Sequence, residues 1–364
     1  MIFCSRLKLD YAKKLNCWQI INTLLFKLLQ MSFLLPPIAK NKDGNPRKVG
    51  LELEFAGIEP MQAAEIITSV FGGKIKEEHR YHINITNTAL GNFRVELDAR
   101  ILRKMAEENI FDKLGIKLEE DSIRKSIEDV VDKMARSVIP LEIVMPPVSI
   151  QELEQLEQLR EALQQNKAKG THASMVHAFG MHLNIESPDL KTATLLKFLR
   201  AFVIVYPWLL EALDIDMTRR ISPFVDPFPD KYVSKILNPD YDPDADQLIE
   251  DYIEFNPTRN RPVDMMPIFG MLNNELIAPV MEGAKNDPRP TFHYRLPNSR
   301  IDNPDWRFAD EWNHWLVIER LVSQHEMLGK LSRLYLLRRD ETVMSFRKEW
   351  ARTLEILLDL DDQR

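Results

Sequence analysis

The sequence predicts an α+β fold in which helices pack on the apolar face of an antiparallel sheet and the other face is polar. Five segments alternate apolar and charged residues with a period of two, as strands with one buried face do. The segments between and after them repeat apolar residues every three to four positions, which is typical of helices. The 364 residues are 45% hydrophobic and 28% charged, a composition that excludes a disordered chain, a collagen-like fibre and a membrane bundle.

The charge balance and the cysteines narrow the possible functions. Lys and Arg number 48 against 55 for Asp and Glu, a net charge of −7, so we expect no nucleic-acid partner. The two cysteines, Cys4 and Cys17, both precede the first predicted strand. The rest of the chain therefore cannot form a disulfide framework, a zinc ribbon or a cysteine nucleophile, and this predicts a reducing, cytoplasmic location.

Residues 1–30 differ in composition from the rest, with five basic residues against a single acid. Their apolar stretch, Ile20–Leu35, is interrupted by polar residues and is too broken for a membrane span or a secretory signal. We therefore expect no membrane partner. Two interpretations remain, an amphipathic extension or an upstream start codon with translation beginning at Met31, and we favour the second.

The first elements after this extension alternate between strand and helix. Val49–Phe55 alternates as a strand, Pro60 favours the first turn of a helix over Met61–Phe71, and Gly72 ends that helix. The patterns then predict, in order, strands at Lys74–Asn84 and Asn92–Arg100, helical residues 101–134, a strand at Ser137–Met145, a helix at Gln151–Gln165, a strand at His177–Glu186 and a helix at Asp189–Leu213.

The composition and the periodicity of the sequence change at Ile221. Ile221–Pro297 is rich in Pro, Asp and Arg with few long periodic runs. We therefore expect an ordered loop region with short elements that serves as a lid or binding surface, with one strand at Thr291–Leu296. Helical periodicity returns at Trp306–Leu328 and Glu341–Leu358. The expected organisation is an extension over residues 1–46, a main domain over 47–300 with a helical insertion near 101–134, and C-terminal helices over 301–364 packed on the same domain.

The polar positions of the five alternating segments are the most informative feature of the sequence. A solvated sheet face would explain the alternation of any one strand. Solvated faces, however, usually carry Thr, Lys, Ser and Gln, whereas here the residues are those that bind metal ions and phosphates. They are Glu52, Glu54, Arg94, Glu96, Asp98, Arg100, Glu142, His182, Asn184, Glu186, His293 and Arg295.

Glu52 and Glu54 are the two positions of this set that point most directly to bound metal. Side chains two residues apart on one strand face lie about 6–7 Å apart, so the two carboxylates would repel one another in a cleft. Divalent cations relieve such repulsion, and carboxylate oxygens are the ligands that Mg²⁺ and Mn²⁺ prefer. The pattern therefore predicts a divalent-metal site on this face.

Taken in order, the strands resemble those of the amidoligase family, relatives of glutamine synthetase and glutamate–cysteine ligase. Val49–Phe55 resembles its opening Gly-x-Glu-x-Glu strand, and Phe93–Asp98 the strand that ends in an acidic residue. Leu141–Pro147 resembles a Glu-containing strand followed by prolines, Gly180–Asn184 a strand that contacts nucleotide phosphate, and Thr291–Pro297 a late Glu-x-Arg strand.

The resemblance implies a curved antiparallel sheet like the catalytic domain of glutamine synthetase, whose concave face holds ATP and Mg²⁺ (or Mn²⁺). It implies an ATP- and Mg²⁺-dependent carboxylate–amine ligase that forms an amide bond through an acyl phosphate. The substrates would be a small-molecule or peptide carboxylate and an amine donor, and an oligomer would be compatible with the family.

The resemblance also implies residue roles. Glu52 and Glu54, with Arg295, are the catalytic candidates. The metal ligands would be Glu52, Glu54, Glu96, Asp98, Glu142 and His293. The nucleotide phosphates, or a substrate carboxylate, would be held by His182, Asn184, Arg220 and Arg261, with Arg219 and Arg259 as neighbours of the last two.

One position departs from the family pattern. His293 stands where the late strand usually carries Glu, and imidazole binds Mn²⁺ more readily than Mg²⁺. The departure supports one alternative, a non-catalytic relative that binds nucleotide and metal. A metal-dependent amide hydrolase on the same acidic face is a further alternative.

Overall fold

The computed structural model describes residues 32–97, 141–170, 179–215, 225–281, 287–341 and 346–360. Several sequence-based predictions lie outside these ranges. They are the extension over residues 1–30, the helical insertion near 101–134, and the site candidates Asp98, Arg219 and Arg220.

The described residues form an α+β structure around one antiparallel sheet of nine strands, which is not closed into a barrel. The strands are β1 Lys48–Phe55, β2 Lys74–His79, β3 His82–Thr88, β4 Gly91–Leu97, β5 Leu141–Val144, β6 Val148–Ser149, β7 Met181–Glu186, β8 Val263–Asp264 and β9 Thr291–Tyr294. Their order in the sheet is β2-β3-β4-β5-β1-β7-β9-β8, and β6 pairs with the start of β1. The first strand in the sequence therefore lies in the middle of the sheet.

Ten helices accompany the sheet in the described ranges. They are α1 Pro60–Phe71, α2 Leu153–Gln165, α3 Thr192–Ala212, α4 Asp230–Leu237, α5 Ala245–Phe255, α6 Met266–Leu272, α7 Asn274–Ile277, α8 Phe308–Ser323, α9 His325–Glu341 and α10 Phe346–Leu358.

The apolar face of the sheet forms the core, as the alternation predicted. Leu51 and Leu53 on β1 are fully buried, and Leu51 lies opposite Leu183 on β7 while Leu53 lies opposite Ile143 on β5. Directly opposed residues of antiparallel strands point to the same face, so these side chains form one apolar layer. Burying each such side chain contributes about 1.5–3 kcal/mol.

Aromatic side chains of the helices cover this layer. Phe198 on α3 stacks on Phe292 of β9 with ring centroids 4.5 Å apart, and Trp315 on α8 lies 5.1 Å from the ring of Tyr294. Because β9 also carries His293, the packing of α3 and α8 against its apolar side directs His293 to the opposite face.

Helix α3 is the one helix of the described residues that is long and apolar enough to span a membrane. By length and composition alone it could cross a bilayer, but 72% of its most apolar window is buried inside the protein. Trp350 of α10 donates a hydrogen bond to the carbonyl of Ile204 near its middle, at 2.8 Å. Such burial is that of a helix in a protein core.

Two sequence-based element predictions were wrong. The single strand predicted over Lys74–Asn84 is a hairpin, β2 and β3, with its turn at Arg80 and Tyr81. No Gly or Pro marks that turn, and the alternation runs into it. The long helix predicted over Trp306–Leu328 ends at Ser323, and α9 begins immediately afterwards, so three helices follow the sheet where the periodicity indicated two.

The short elements predicted within the loop region at Ile221–Pro297 are confirmed. Its described part holds four helices, α4 to α7, and the short strand β8. Tyr232 of α4 and Tyr252 of α5 are fully buried and pack edge to face at 5.9 Å. The four helices have only 4 to 11 residues, so none of them repeats its apolar pattern long enough for its helical character to be recognised.

We expect Gly73→Ala to lower the free energy of unfolding by about 1–3 kcal/mol. Gly73 has φ +103, and an added Cβ would lie 2.7 Å from the carbonyl oxygen of Thr86 on β3. The substitution would push α1 away from the hairpin. Thermal or urea unfolding measures the change, with Gly329→Ala as the control. Gly329 lies within α9 with no atom within 4 Å of an added Cβ, so we expect that variant to be as stable as the wild type or more so.

Candidate metal and catalytic centre

The register of the sheet brings the polar positions of separate strands into rows on one face. Glu54 on β1 lies opposite Glu142 on β5, and Glu142 lies opposite Glu96 on β4. In the next row Glu52 lies opposite His182 on β7. Residues that oppose one another across antiparallel strands share a face, so all five side chains leave the sheet on the same side.

A further row continues this face to the edge of the sheet. Asn184 on β7 lies opposite His293 on β9, and His293 lies opposite Asp264 on β8. Asp264 was not among the residues that the sequence indicated. Its strand has only two residues, too few to show alternation.

The first cluster of this face, the histidine-rich trio, consists of Glu52, His182 and His293. His182 Nδ1 lies 3.1 Å and His293 Nε2 lies 3.5 Å from Oε2 of Glu52. One potential ligand atom from each residue lies within 4.8 Å of the other two. The two imidazole rings are 5.3 Å apart and nearly perpendicular.

The second cluster, the carboxylate trio, consists of Glu54, Glu142 and His182. Oε1 of Glu54 lies 3.6 Å from Nε2 of His182, and Oε1 of Glu142 lies 3.9 Å from its Nδ1. These ligand atoms also lie within 4.8 Å of one another. His182 therefore belongs to both trios and lies between three carboxylates.

Both trios are largely withdrawn from solvent. Glu54 and Glu142 are 5% and 7% exposed, and His182 and His293 are 4% and 3% exposed. Glu54 is further fixed by the backbone N–H of Gly180, which donates to its Oε2 at 2.6 Å. Buried carboxylates and imidazoles in such proximity need counter-charges or metal ions.

Glu52 and Asp264, the two carboxylates next to His293, remain ionised. Burial by itself raises the pKa of Glu52, but His293 and His182 outweigh it and hold the pKa well below its ordinary value. Burial likewise raises the pKa of Asp264, and His293 and Arg259 lower it overall. Both carboxylates thus present negative charge at neutral pH.

The chemistry of the donor set fits divalent metal ions. Three carboxylates and two imidazoles converge on a buried face, and among the described residues neither ring nitrogen of His293 has a hydrogen-bond partner. Glu52 and Asp264 attract the ring by charge at 3.5 and 3.6 Å, but an imidazole buried this deeply without a hydrogen bond is costly unless something binds it. Glu52, Glu54, Glu142, His182 and His293 are therefore the residues that would hold metal.

Glu96 lies on the same face but outside both trios. Its Oε2 is 2.9 Å from Nε of Arg94 and 3.3 Å from Nδ1 of His82, and it is partly exposed. The sheet thus brings together four of the predicted metal ligands, Glu52, Glu54, Glu142 and His293, and sets Glu96 aside with Arg94.

Of the residues predicted to bind phosphate or to stabilise its charge, Asn184 and Arg295 lie on the face of the two trios, whereas Arg261 does not contact it. Nδ2 of Asn184 donates to Glu52 Oε1 at 2.8 Å, inside the site. Arg295 follows β9 on the face of His293, is 4% exposed, and donates through Nη1 to the carbonyl of Arg259 at 2.7 Å. Arg261 donates instead to backbone carbonyls, at 2.7 Å to that of Pro227, and so holds the chain before α4.

A second arginine of the site was missed by the sequence reasoning. Nη2 of Arg289 donates to Oδ1 of Asn184 at 2.7 Å, which extends the hydrogen-bond chain that begins at Glu52. Arg289 keeps 28% of its side chain exposed, so its guanidinium lies between the buried network and solvent. Its place between Pro288 and Pro290, just before a strand with His293 and Arg295, was a signal that could have indicated it.

Comparison with known protein families gives a match. A family profile described as "Putative amidoligase enzyme" matches residues 45–317, well over half of the chain and a range that contains both trios. No curated protein and no solved structure matches the chain.

Proposed function

This chain belongs to the amidoligase enzyme family, and from that premise we propose that it is an ATP- and Mg²⁺-dependent ligase that joins a carboxylate to an amine through an acyl phosphate. The family membership supports a ligase. The nucleotide, the metal and the intermediate are our proposal.

The observation that carries the proposal is the convergence of Glu52, Glu54 and Glu142 around His182 on one buried face. Phosphoryl transfer requires concentrated negative charge on the phosphates to be neutralised, and divalent ions held by carboxylates supply that neutralisation when bound. A buried face with three carboxylates around one imidazole is suited to hold such ions.

The remaining residues of the face would bind and orient the substrates. Arg289 presents a partly exposed, planar guanidinium next to Asn184, an arrangement that suits a phosphate or a carboxylate. Asn184 fixes Glu52 through its amide and so keeps that carboxylate directed at the site. Helices α3 and α8 pack against the opposite side of β9 and so hold His293 in position, which favours a preorganised site.

The proposal is tested by nucleotide consumption. Purified protein is incubated with ATP, Mg²⁺ or Mn²⁺, and a panel of amino acids, peptides and polyamines. We expect ADP and phosphate to be released only when both a carboxylate and an amine are present. Absence of any Mg²⁺- or Mn²⁺-dependent nucleotide binding by calorimetry would contradict the proposal, and binding without consumption across the panel would favour a non-catalytic relative.

One observation favours a second candidate function. Two imidazoles and one carboxylate, the donor set of the histidine-rich trio, also occur in hydrolytic zinc sites. A metal-dependent amide hydrolase would cleave amides in the same panel without nucleotide. Amide cleavage that occurs without ATP and stops when a chelator removes the metal would therefore support the hydrolase over the ligase.

A further inference from the structure

His293 is the least satisfied side chain of the site. It is 3% exposed, and within the part of the chain that the structure describes neither of its ring nitrogens has a hydrogen-bond partner. Its Nε2 faces Oε2 of Glu52 at 3.5 Å, beyond hydrogen-bond distance, and the ring of His182 stands edge-on to it at 5.3 Å. A gap of this kind between a carboxylate and two imidazoles has the donors of a metal site.

Asp264 supports His293 from the other side. Asp264 is fully buried, its Oδ1 accepts from the backbone N–H of Met266 at 2.9 Å, and its Oδ2 accepts from Nε of Arg259 at 2.8 Å. That same Oδ2 lies 3.6 Å from Nδ1 of His293. Metal-binding histidines commonly direct their second ring nitrogen to a carboxylate, which fixes the tautomer and the ring orientation.

We propose that the histidine-rich trio binds a divalent first-row transition ion such as Mn²⁺ in preference to Mg²⁺, and that Asp264 is the positioning residue that fixes His293 for it. The inference deepens the proposed function and rests on it, since it assigns the metal of the same site. The physical reason is the donor set. Mg²⁺ prefers oxygen ligands, whereas imidazole nitrogen favours the transition series, so two imidazoles shift the selectivity. The carboxylate trio keeps the oxygen ligands that suit Mg²⁺.

Mn²⁺ binding to the full chain without nucleotide tests this directly. Electron paramagnetic resonance counts the bound Mn²⁺, and its pulsed form detects coupling to imidazole nitrogen. We expect bound Mn²⁺ with nitrogen coupling, and we expect Mg²⁺ to displace it only at about tenfold excess or more. Bound Mn²⁺ without nitrogen coupling, equal competition by Mg²⁺, or no bound Mn²⁺ would each overturn the inference.

Two variants test the residue roles. His293→Glu should reduce the nitrogen coupling and bring the Mn²⁺ and Mg²⁺ affinities together, because an oxygen donor replaces an imidazole. Asp264→Asn should weaken Mn²⁺ binding by about 10- to 100-fold while His293 is still present. Unchanged Mn²⁺ affinity and unchanged coupling in Asp264→Asn would refute the positioning role.

The matched control is Asp251→Asn. Asp251 is also a buried aspartate, 3% exposed, but it accepts from Lys235, Tyr241 and Gln247 away from the trios. We expect this variant to retain Mn²⁺ affinity and nitrogen coupling. If Asp251→Asn and Asp264→Asn lost Mn²⁺ affinity equally, the loss would come from a general effect on folding, which would contradict the positioning role of Asp264.

The binding readout also separates the two proposals. Nitrogen-coupled Mn²⁺ in a protein that never consumes ATP would contradict the ligase proposal alone. Ligase turnover in a protein whose bound Mn²⁺ lacks nitrogen coupling would contradict the metal assignment alone.

Discussion

We expect Glu142→Gln to lower the metal-dependent consumption of ATP by about a thousandfold, a loss of about 4 kcal/mol of transition-state stabilisation. Glu142 is 7% exposed, lies directly opposite Glu54, and approaches His182 within 3.9 Å. Gln keeps the shape of the side chain but removes its charge and one oxygen ligand. The carboxylate trio then keeps a single carboxylate, too little to hold a hard divalent ion against phosphate charge. Steady-state release of ADP at saturating Mg²⁺ measures the effect.

Glu186→Gln is the control for charge loss on the same face. Glu186 lies at the end of β7, accepts from Asn41 and from the backbone N–H of Lys48, and belongs to neither trio. We expect its turnover to stay near that of the wild type. Both variants should keep their thermal midpoints within a few degrees. Full turnover in Glu142→Gln would remove the carboxylate trio from the mechanism.

The polar face was predictable because the alternation of strands is a local property. Period-two patterning in β1, β4, β5, β7 and β9 separates apolar from polar residues regardless of which strands become neighbours. It identified Glu52, Glu54, Glu142 and His293 before their contacts were known. The architecture follows from the same patterning, since the apolar sides of these strands must be covered by helices.

The grouping of those residues was not predictable, because it depends on strand order. His182 joins both trios because β7 lies beside β1. Glu96 lies on the next strand out from Glu142, and its carboxylate pairs with Arg94 and His82 instead. Asp264 contacts His293 only because β8 pairs with β9 at the edge of the sheet. These neighbours are set by strand pairing between distant parts of the chain. A strand of two residues is too short to show alternation, and a single arginine in a loop, such as Arg289, shows no periodic pattern at all.

The largest expected effect on stability concerns a buried ion pair that joins the start of the sheet to the C-terminal helices. Arg47, which precedes β1, has no exposed surface, and its guanidinium makes two contacts with Glu319 of α8, at 2.8 and 3.0 Å. Arg47 also donates to the carbonyls of Glu186 and Ile38, and Trp315 donates to Glu319 at 2.9 Å. Every charged group of the pair is thus hydrogen-bonded.

We expect Glu319→Ala to lower the free energy of unfolding by about 3–5 kcal/mol, since it leaves the Arg47 guanidinium buried without its counter-charge. Denaturant unfolding followed by tryptophan fluorescence measures this. Replacing both partners, Arg47→Met with Glu319→Leu, should recover much of the loss, because no buried charge then remains. Glu326→Gln, which removes the exposed partner of Lys330, should leave the midpoint unchanged.

The shape of the same unfolding transition tests the domain prediction for residues 301–364. If α8 and the sheet form one cooperative unit, Glu319→Ala shifts a single transition to lower denaturant without splitting it. Two separate transitions would mean that the C-terminal helices unfold on their own. Because α8 also covers the apolar side of β9, a loosened α8 would release His293, so Mn²⁺ affinity should fall in parallel with stability.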